Sequence, residues 1–572
     1  MSSKLIEKAR SLLAQEQNVL PLPQPPGSKR RRGKLSIALA YPHRYYTAMS
    51  NLGFQAVYWL FNQEPETACQ RVFLPDPEDI QEYRRTATPL FSLESQWPVR
   101  SFEVLAFSLS YENNFPHLLT MMELARIPLL KRDRTEADPL VMAGGASILM
   151  NPESLVDFVD FFVIGEAEEV VKPLTEALRR GRESGKAREA ILVDLATIEG
   201  VYVPQFYQVT YNPDGLIETF TPQGGLPSRV KRVWLKNLNE SITLSPVVTP
   251  NTELSGMLLL ELSRGCRRGC RFCAGSYSYF PHRLRDGPRL KEAALKGSGP
   301  ASKVGLVGAA ISDYPELISL GREILKSGKP LSFSSLRVDS LSPELADLVF
   351  QSGQKTITLA PEAGSERMRR IIRKGFTEEN ILQAVEILAE RGFASFRLYF
   401  MIGLPEEKTE DVKAITDLTR KIQHHIVIKA PGKKKPEKIT LSLNSFVPKP
   451  TTPFQWHPFE DLRSLTEKIK GVKDAFRKDR NISVTADLPK WAYLQNLLSR
   501  GDRRVGKLLL AAHRLNGNRP QAYRSVDINP DFYVYRGRRF EEILPWDFID
   551  HGIKKEFLWK EYEEALRESE KG

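Results

Sequence analysis

Three of the four cysteines of this chain stand within eight residues: Cys266, Cys270 and Cys273, spaced C-x3-C-x2-C. They follow an apolar run, Met257 to Leu262, that reads as a buried strand, and they sit on a loop punctuated by Gly265 and Gly269, which let the backbone fold back. Three thiolates so spaced can converge on one metal centre and leave one coordination position open. A structural zinc site is normally closed by four protein ligands, and a ferredoxin-type cluster takes four cysteines. Two readings are therefore open: His282, nine residues beyond Cys273, completes a Cys3His zinc site, or the thiolates hold an iron–sulfur cluster whose fourth iron is free to chelate something else. A disulfide scaffold is not expected of four cysteines in so long a chain.

The elements around the loop favour the cluster. From Met257 onward, short apolar runs alternate with helical segments: strands are expected at 257–262, 303–308, 331–335, 356–360, 395–403 and 439–446, with helices between them. Six strand–helix units predict a partial TIM-like barrel, with chemistry at the strand C-termini. An earlier series of strands, at 35–40, 71–75, 102–109, 140–145 and 160–165, predicts a separate doubly wound parallel sheet. The fold class expected is α/β: an N-terminal doubly wound sheet, a partial (β/α)6 TIM-like barrel and a helical C-terminal cap. The boundaries are a basic, Pro-rich leader at 1–33, the first α/β domain at 34–182, a connecting helix and β-hairpin at 183–250, the barrel at 251–457 and a C-terminal helical extension at 458–572.

The cysteine spacing, with Phe272 just before the last cysteine, resembles that of the radical S-adenosylmethionine (AdoMet) enzymes, and the chain from about 35 to 560 resembles members that carry a cobalamin-binding-like domain ahead of the barrel. The resemblance implies a 4Fe–4S cluster on Cys266, Cys270 and Cys273. It implies that the open iron binds AdoMet and that one electron cleaves it to a 5'-deoxyadenosyl radical. Residue by residue it places Phe272 near the adenine, Gly308 and Ala310 (GAA where the family often has Gly-Gly-Glu) at the amino group, and Ser335 and Arg337 at the carboxylate. Glu362 is then placed at the ribose and Ile402, in the MIGLPEE turn, beside the adenine. Arg337 paired with Asp339, and Glu362 as a helix cap, are the plainer alternatives.

Cobalamin is the less supported cofactor. The stretch YPHRYYTAMSNLG has His43 but lacks the Asp and the spaced Gly of the family's Asp-x-His-x-x-Gly signature. Gly144, Gly145 and Gly165 fall where open α/β sheets bind ligands, and also where tight turns occur. Cys69 reads as a small buried hydrophobe. Methylthiotransferases carry three further cysteines in their N-terminal domain, which this chain does not. Asp547, Asp550 and His551 read as a turn and a helix cap before they read as a metal site.

The 572 residues are 41% hydrophobic and 27% charged, ordinary for a soluble globular protein of two to four domains. No run approaches the roughly 18 apolar residues of a membrane span, and the N-terminus lacks a signal h-region, so a cytoplasmic protein is expected. The net charge of +12 gathers at 29–34, 264–271 and 429–438 and permits nucleic acid as a partner. The function expected is a radical AdoMet enzyme supplied by a one-electron reductant of flavodoxin or ferredoxin type. Its substrate is undetermined, with modification of RNA or a ribosomal component as one candidate. The alternatives are a cobalamin-dependent small-molecule methyltransferase and a non-catalytic metal-binding scaffold. No catalytic acid or base is assigned, because the cofactor carries the hydrogen abstraction.

Overall fold

A computed structural model describes residues 2–21, 34–297, 299, 301–430, 432 and 437–571. The basic segment at 29–34 lies outside these residues except for Lys34, and half of 429–438 lies outside them.

The first helix, α1 (Ser3–Ala14), buries Leu5 and Ala9. Just after it, Glu16 pairs at 2.6 Å with the fully buried Arg71. The expectation of a leader is thereby corrected for residues 3–16, which form part of the first domain. Its strands are β1 (Leu35–Tyr41), β2 (Thr67–Phe73), β3 (Val104–Ser108), β4 (Leu140–Gly144), β5 (Phe161–Val163) and β6 (Val201–Tyr202), ordered β2-β1-β3-β4-β5-β6. The first five are parallel and β6 is antiparallel. β1 is buried at every residue, as a strand covered on both faces must be. The helices α2 (Leu52–Gln63) and α3 (Ala167–Glu183) cover one face near the strand C-termini. Cys69 lies in β2 and is buried, as expected.

The connection contains the expected hairpin, β7 (Tyr207–Tyr211) and β8 (Ile217–Pro222), closed by Gly215 N–H donating to Asn212 O at 2.9 Å. Phe220 stacks on Phe548 with centroids 4.6 Å apart, which fastens the hairpin to the C-terminal tail.

A short strand, β9 (Val230–Lys231), precedes the second domain, which opens with β10 (Met257–Glu261) and the short pair β11 (Ser263–Arg264) and β12 (Arg283–Leu284) around the cysteine loop. The cysteine loop carries the single turn α4 (Ala274–Tyr277). The parallel strands then run β13 (Lys303–Val307), β14 (Leu331–Phe333), β15 (Thr356–Glu362), β16 (Ser395–Ile402), β17 (Lys438–Ser445) and β18 (Ile482–Ala486). They form two arcs, β10-β13-β14 and β15-β16-β17-β18, joined by a parallel bridge between Leu336 and Leu359. β18 pairs in parallel with β17, so the barrel sheet has one strand more than six and continues past the boundary expected at 457. Residues 482–486 fall within the expected C-terminal helical extension because pairing partners are not visible in a linear pattern.

The helices start where capping chemistry predicts. Ser342 accepts from Leu345 N–H ahead of Pro343, Ser365 accepts from Met368 N–H, and Thr377 and Asn380 form a reciprocal capping box. One buried apolar cluster runs through both sheets. The last strand and helix, β19 (Ile549–Asp550) and α5 (Lys555–Glu570), belong to the C-terminal tail.

Candidate active site

The cysteine loop leaves β10 and returns through α4, and its shape is set by glycine and arginine together. Gly265 has φ +78°, and a Cβ there would stand 2.5 Å from the Tyr279 carbonyl, so no other residue fits without shifting the loop. The Tyr277 hydroxyl donates to Gly269 O at 3.0 Å. Arg268 donates to Asp313 at 2.7 Å and to Asp339 at 2.9 Å, tying the loop to the segments after β13 and β14. Arg271 is buried and donates to Glu561 of α5 at 3.0 Å and to Ile371 O at 2.9 Å. Arg264 pairs with Glu166, Glu168 and Glu261 at 2.7–2.9 Å. Three of the four arginines of the basic stretch 264–271 therefore hold the loop in place, and Arg267 is the exposed one.

Cys270 is buried and Cys266 and Cys273 are partly so. Burial pushes the Cys270 thiol up, against the pull of Lys374 and then Arg337, and pushes the Cys273 thiol up to about 11. A bound metal ion reverses that preference, because a coordinating thiol is deprotonated outright. Among the described residues no three Cys, His, Asp or Glu side chains are gathered tightly enough to share one ion, the three cysteines included. Soft thiols on separate turns of one loop, with cations facing them, fit the thiolates of an iron–sulfur cluster.

Around the loop the structure assembles some of the expected residues and separates others. Phe272 is partly buried in a small cluster with Ala363, Met368, Leu404, Phe446 and Phe454. Lys374 Nζ lies 5.8 Å from the Phe272 ring and donates to Glu362 at 3.1 Å. Glu362 ends β15 after a register shift, with φ +66°, a left-handed conformation that costs a non-glycine residue of order 1–3 kcal/mol. It belongs to the strand end and caps no helix; Ser365 does that. Arg337 pairs with Asp339 at 2.9 Å and donates to Lys374 O at 3.2 Å, so the plainer alternative holds for its side chain while its charge still reaches Cys270. Ser335 is exposed. Gly308 follows β13, where a Cβ would press on Ser263 Oγ at 2.9 Å, and the Ala310 carbonyl accepts from Asp313 N–H.

Ile402 lies on the other face of its strand. Along β16 the buried positions are Phe396, Leu398, Phe400 and Ile402, all in the main core, and Met401 packs with the Phe272 cluster instead. Strand alternation sends adjacent residues to opposite faces, so Met401 is the neighbour of the site. Sequence reasoning passed over it and over Lys374. The alternation of β16 signalled the first, and nothing in the local sequence signalled the second.

The C-terminal edge of the first sheet abuts this loop. Glu166, the residue after the tight turn at Gly165, accepts from Arg264 and, at 2.7 and 2.9 Å, from Arg283. These guanidinium groups outweigh burial and hold the Glu166 carboxyl below its usual range. Above them lies a cavity of about 380 Å³ between the sheet and helices α2 and α3, reaching Tyr279 of the cysteine loop. Its lining is mostly small and apolar, with Asn51, Ser108 and Ser110 as polar groups and no histidine among the described residues. His43 is elsewhere, 6.3 Å from the His117 ring.

A family model of the N-terminal region of radical AdoMet proteins matches residues 53–204, and that of the radical AdoMet superfamily matches 260–419. An uncharacterized protein of Methanocaldococcus jannaschii is 28% identical over 479 residues, 83% of this chain and 90% of its own. An uncharacterized methyltransferase of Pyrococcus horikoshii is 24% identical over 296 residues, 49% of this chain and 58% of its own. Among solved structures, the radical AdoMet methyltransferase TsrM of Kitasatospora setae, with cobalamin and a 4Fe–4S cluster bound, has a TM-score of 0.46 at 15% identity, covering 72% of each chain. The cobalamin-dependent radical AdoMet enzyme OxsB, with aqua-cobalamin and AdoMet bound, has a TM-score of 0.46 at 12% identity, covering 94% of this chain and 80% of its own. Both α/β regions of this chain are thus matched by models of one superfamily: it carries radical AdoMet domains, and the proteins of that superfamily are enzymes that bind a 4Fe–4S cluster and AdoMet.

Proposed function

We propose that this enzyme holds its cluster on Cys266, Cys270 and Cys273, cleaves AdoMet reductively there, and methylates a small-molecule substrate with cobalamin seated at the edge of the first sheet. The observation that carries the second half is the cavity reaching from β1, β3 and β4 to Tyr279, six residues beyond Cys273. Cobalamin there would be held by the apolar walls of α3 and the first sheet and by Asn51, Ser108 and Ser110.

When bound, the cluster supplies the electron that breaks the sulfonium bond, and cobalamin supplies a carrier for the methyl group. The chain's own groups orient and insulate. Phe272 and Met401 give an apolar surface for the adenine, and Glu362, held by Lys374, accepts from the ribose hydroxyls. Arg271, Arg373 and Glu561 bind α5 against the loop and exclude water from its far side. An external one-electron reductant is required. Among the described residues no helix is long and apolar enough to cross a membrane.

RNA as substrate draws less support from the folded chain than from its sequence, because three of the four arginines of 264–271 are spent on internal carboxylates. Anaerobic reconstitution with cobalamin present tests the reading. About four irons per chain, a reduced-state EPR signal that shifts with AdoMet, and one cobalamin retained after gel filtration are expected. One zinc and no iron would overturn the enzyme, and four irons without retained cobalamin would overturn the methyl-carrier half alone.

A further inference from the structure

A second polar cavity, of about 290 Å³, lies under the N-terminal end of α5, between the tail from Trp546 to Leu558 and the loop at Thr451 and Gln455. His551 lines it. The residue is only 6% exposed, yet neither ring nitrogen has a hydrogen-bond partner. A neutral imidazole carries one donor and one acceptor, and both are left unmade in a place that excludes bulk water.

Arg232 stands beside it. β9 and β19 pair in parallel, Val230 with Ile549, so Arg232 and His551 are the next residues along on the same face, and Arg232 N–H donates to Asp550 O at 2.9 Å. The Arg232 side chain is buried and donates to the Phe280 carbonyl, while its Nε and Nη1 have no partner. A guanidinium keeps its charge at any pH a protein meets, so these are donors in need of an anion. Its nearest carboxylate is engaged elsewhere: both oxygens of Glu166 are taken by Arg283 and Arg264. Burial first, and then the charge of Arg232, hold the His551 imidazole neutral, down to about 3. Asp547 is used by Lys555 and Leu544 N–H, and Asp550 by Gly552 N–H, so the tail's acids form turns as expected and leave the imidazole and guanidinium unmatched. At the mouth, Arg229 is half exposed.

We propose that this cavity binds the carboxylate or phosphate group of a small acid, held by His551 and by Arg229 at the entrance, with the buried charge of Arg232 behind the imidazole. Its wall is shared with the cluster loop: Thr451 Oγ1 and Ser278 Oγ are 2.9 Å apart, and Ser278 N–H closes the turn of α4 on Ala274 O. A bound acid therefore braces the turn that begins at Cys273. The site stands independently of cobalamin in the first cavity.

The full-length protein is titrated with inorganic phosphate, glutarate and uncharged glutaramide at constant ionic strength, read by calorimetry and by histidine-selective 15N NMR. Saturable binding of at least one acid is expected, with glutaramide inert and one histidine resonance shifting that is missing in His551→Gln. His551→Leu weakens the acid at least tenfold, and Arg229→Gln and Arg232→Gln several-fold. Phosphate alone binding identifies a phosphorylated ligand, and glutarate alone a carboxylic acid. No saturable binding of either acid, equal binding of glutaramide, or unchanged affinity in Arg229→Gln and His551→Gln overturns the site and leaves ordered water in the cavity. If Arg232→Gln does not fold, the mouth variant and the NMR of the unaltered protein decide.

Discussion

The C-terminal edges of the two sheets meet, and they are built from opposite materials. The first is lined by glycine, alanine and branched apolar side chains and opens a cavity of about 380 Å³. The barrel edge carries three thiols, Lys374, Arg337 and Glu362, cross-braced by ion pairs. An apolar slot accepts a large ligand by shape and expelled water, whereas a charged rim positions a polar ligand atom by atom. The glycines differ in the same way. A Cβ at Gly165, φ +140°, would fall 2.1 Å from Val233 O, so that glycine serves the packing of the connection on the sheet, while Gly265 serves the fold of the cysteine loop.

The largest effect expected from a single change is at the barrel edge. Cys270→Ala removes one of three thiolates, and iron content and AdoMet cleavage fall to background while thermal unfolding of the cluster-free protein stays near the parent value. Retained cleavage would show that the thiols are not the cluster ligands. At the junction, Glu166→Ala strands the buried guanidinium group of Arg283 and takes one of three carboxylates from Arg264, and a loss of about 3–5 kcal/mol is expected in chemical denaturation. A loss under about 1 kcal/mol would mean that the two edges are held by apolar contact alone.

The two faces of β16 give a paired test. Ile402→Ala should cost about 2–5 kcal/mol, as a fully buried large-to-small change does. Met401→Ala should cost less stability and instead raise the KM for AdoMet several-fold. The reverse outcome would exchange their roles. The smallest effect is expected at exposed Arg267. Arg267→Gln should leave stability within about 0.5 kcal/mol. Were RNA the substrate, the slope of log affinity against log salt would drop by about one.

The cysteine loop was legible from spacing alone, because cysteines four and three residues apart on one loop need no tertiary contact to be neighbours. The strand series of both domains and the capped helices were legible for a related reason, since periodicity and caps are local. The seventh barrel strand was not, because Ile482–Ala486 becomes part of the sheet only by pairing with Lys438–Ser445. Nor was the role of the first helix, whose two buried residues and the following Glu16 find their partners in the first sheet domain, far along the chain.

By itself the sequence determined the metal-binding chemistry, the two α/β units and their order, all properties of residue type at short range. The tertiary structure decided which charges are free. Three of the four arginines that look like a nucleic-acid patch are consumed by Glu166, Asp313 and Glu561, while the His551 ring and two of the Arg232 nitrogens are left without partners among the described residues. The reason is physical: whether a buried polar atom is satisfied depends on groups brought together from distant parts of the chain, and only the packed fold places them within hydrogen-bond reach.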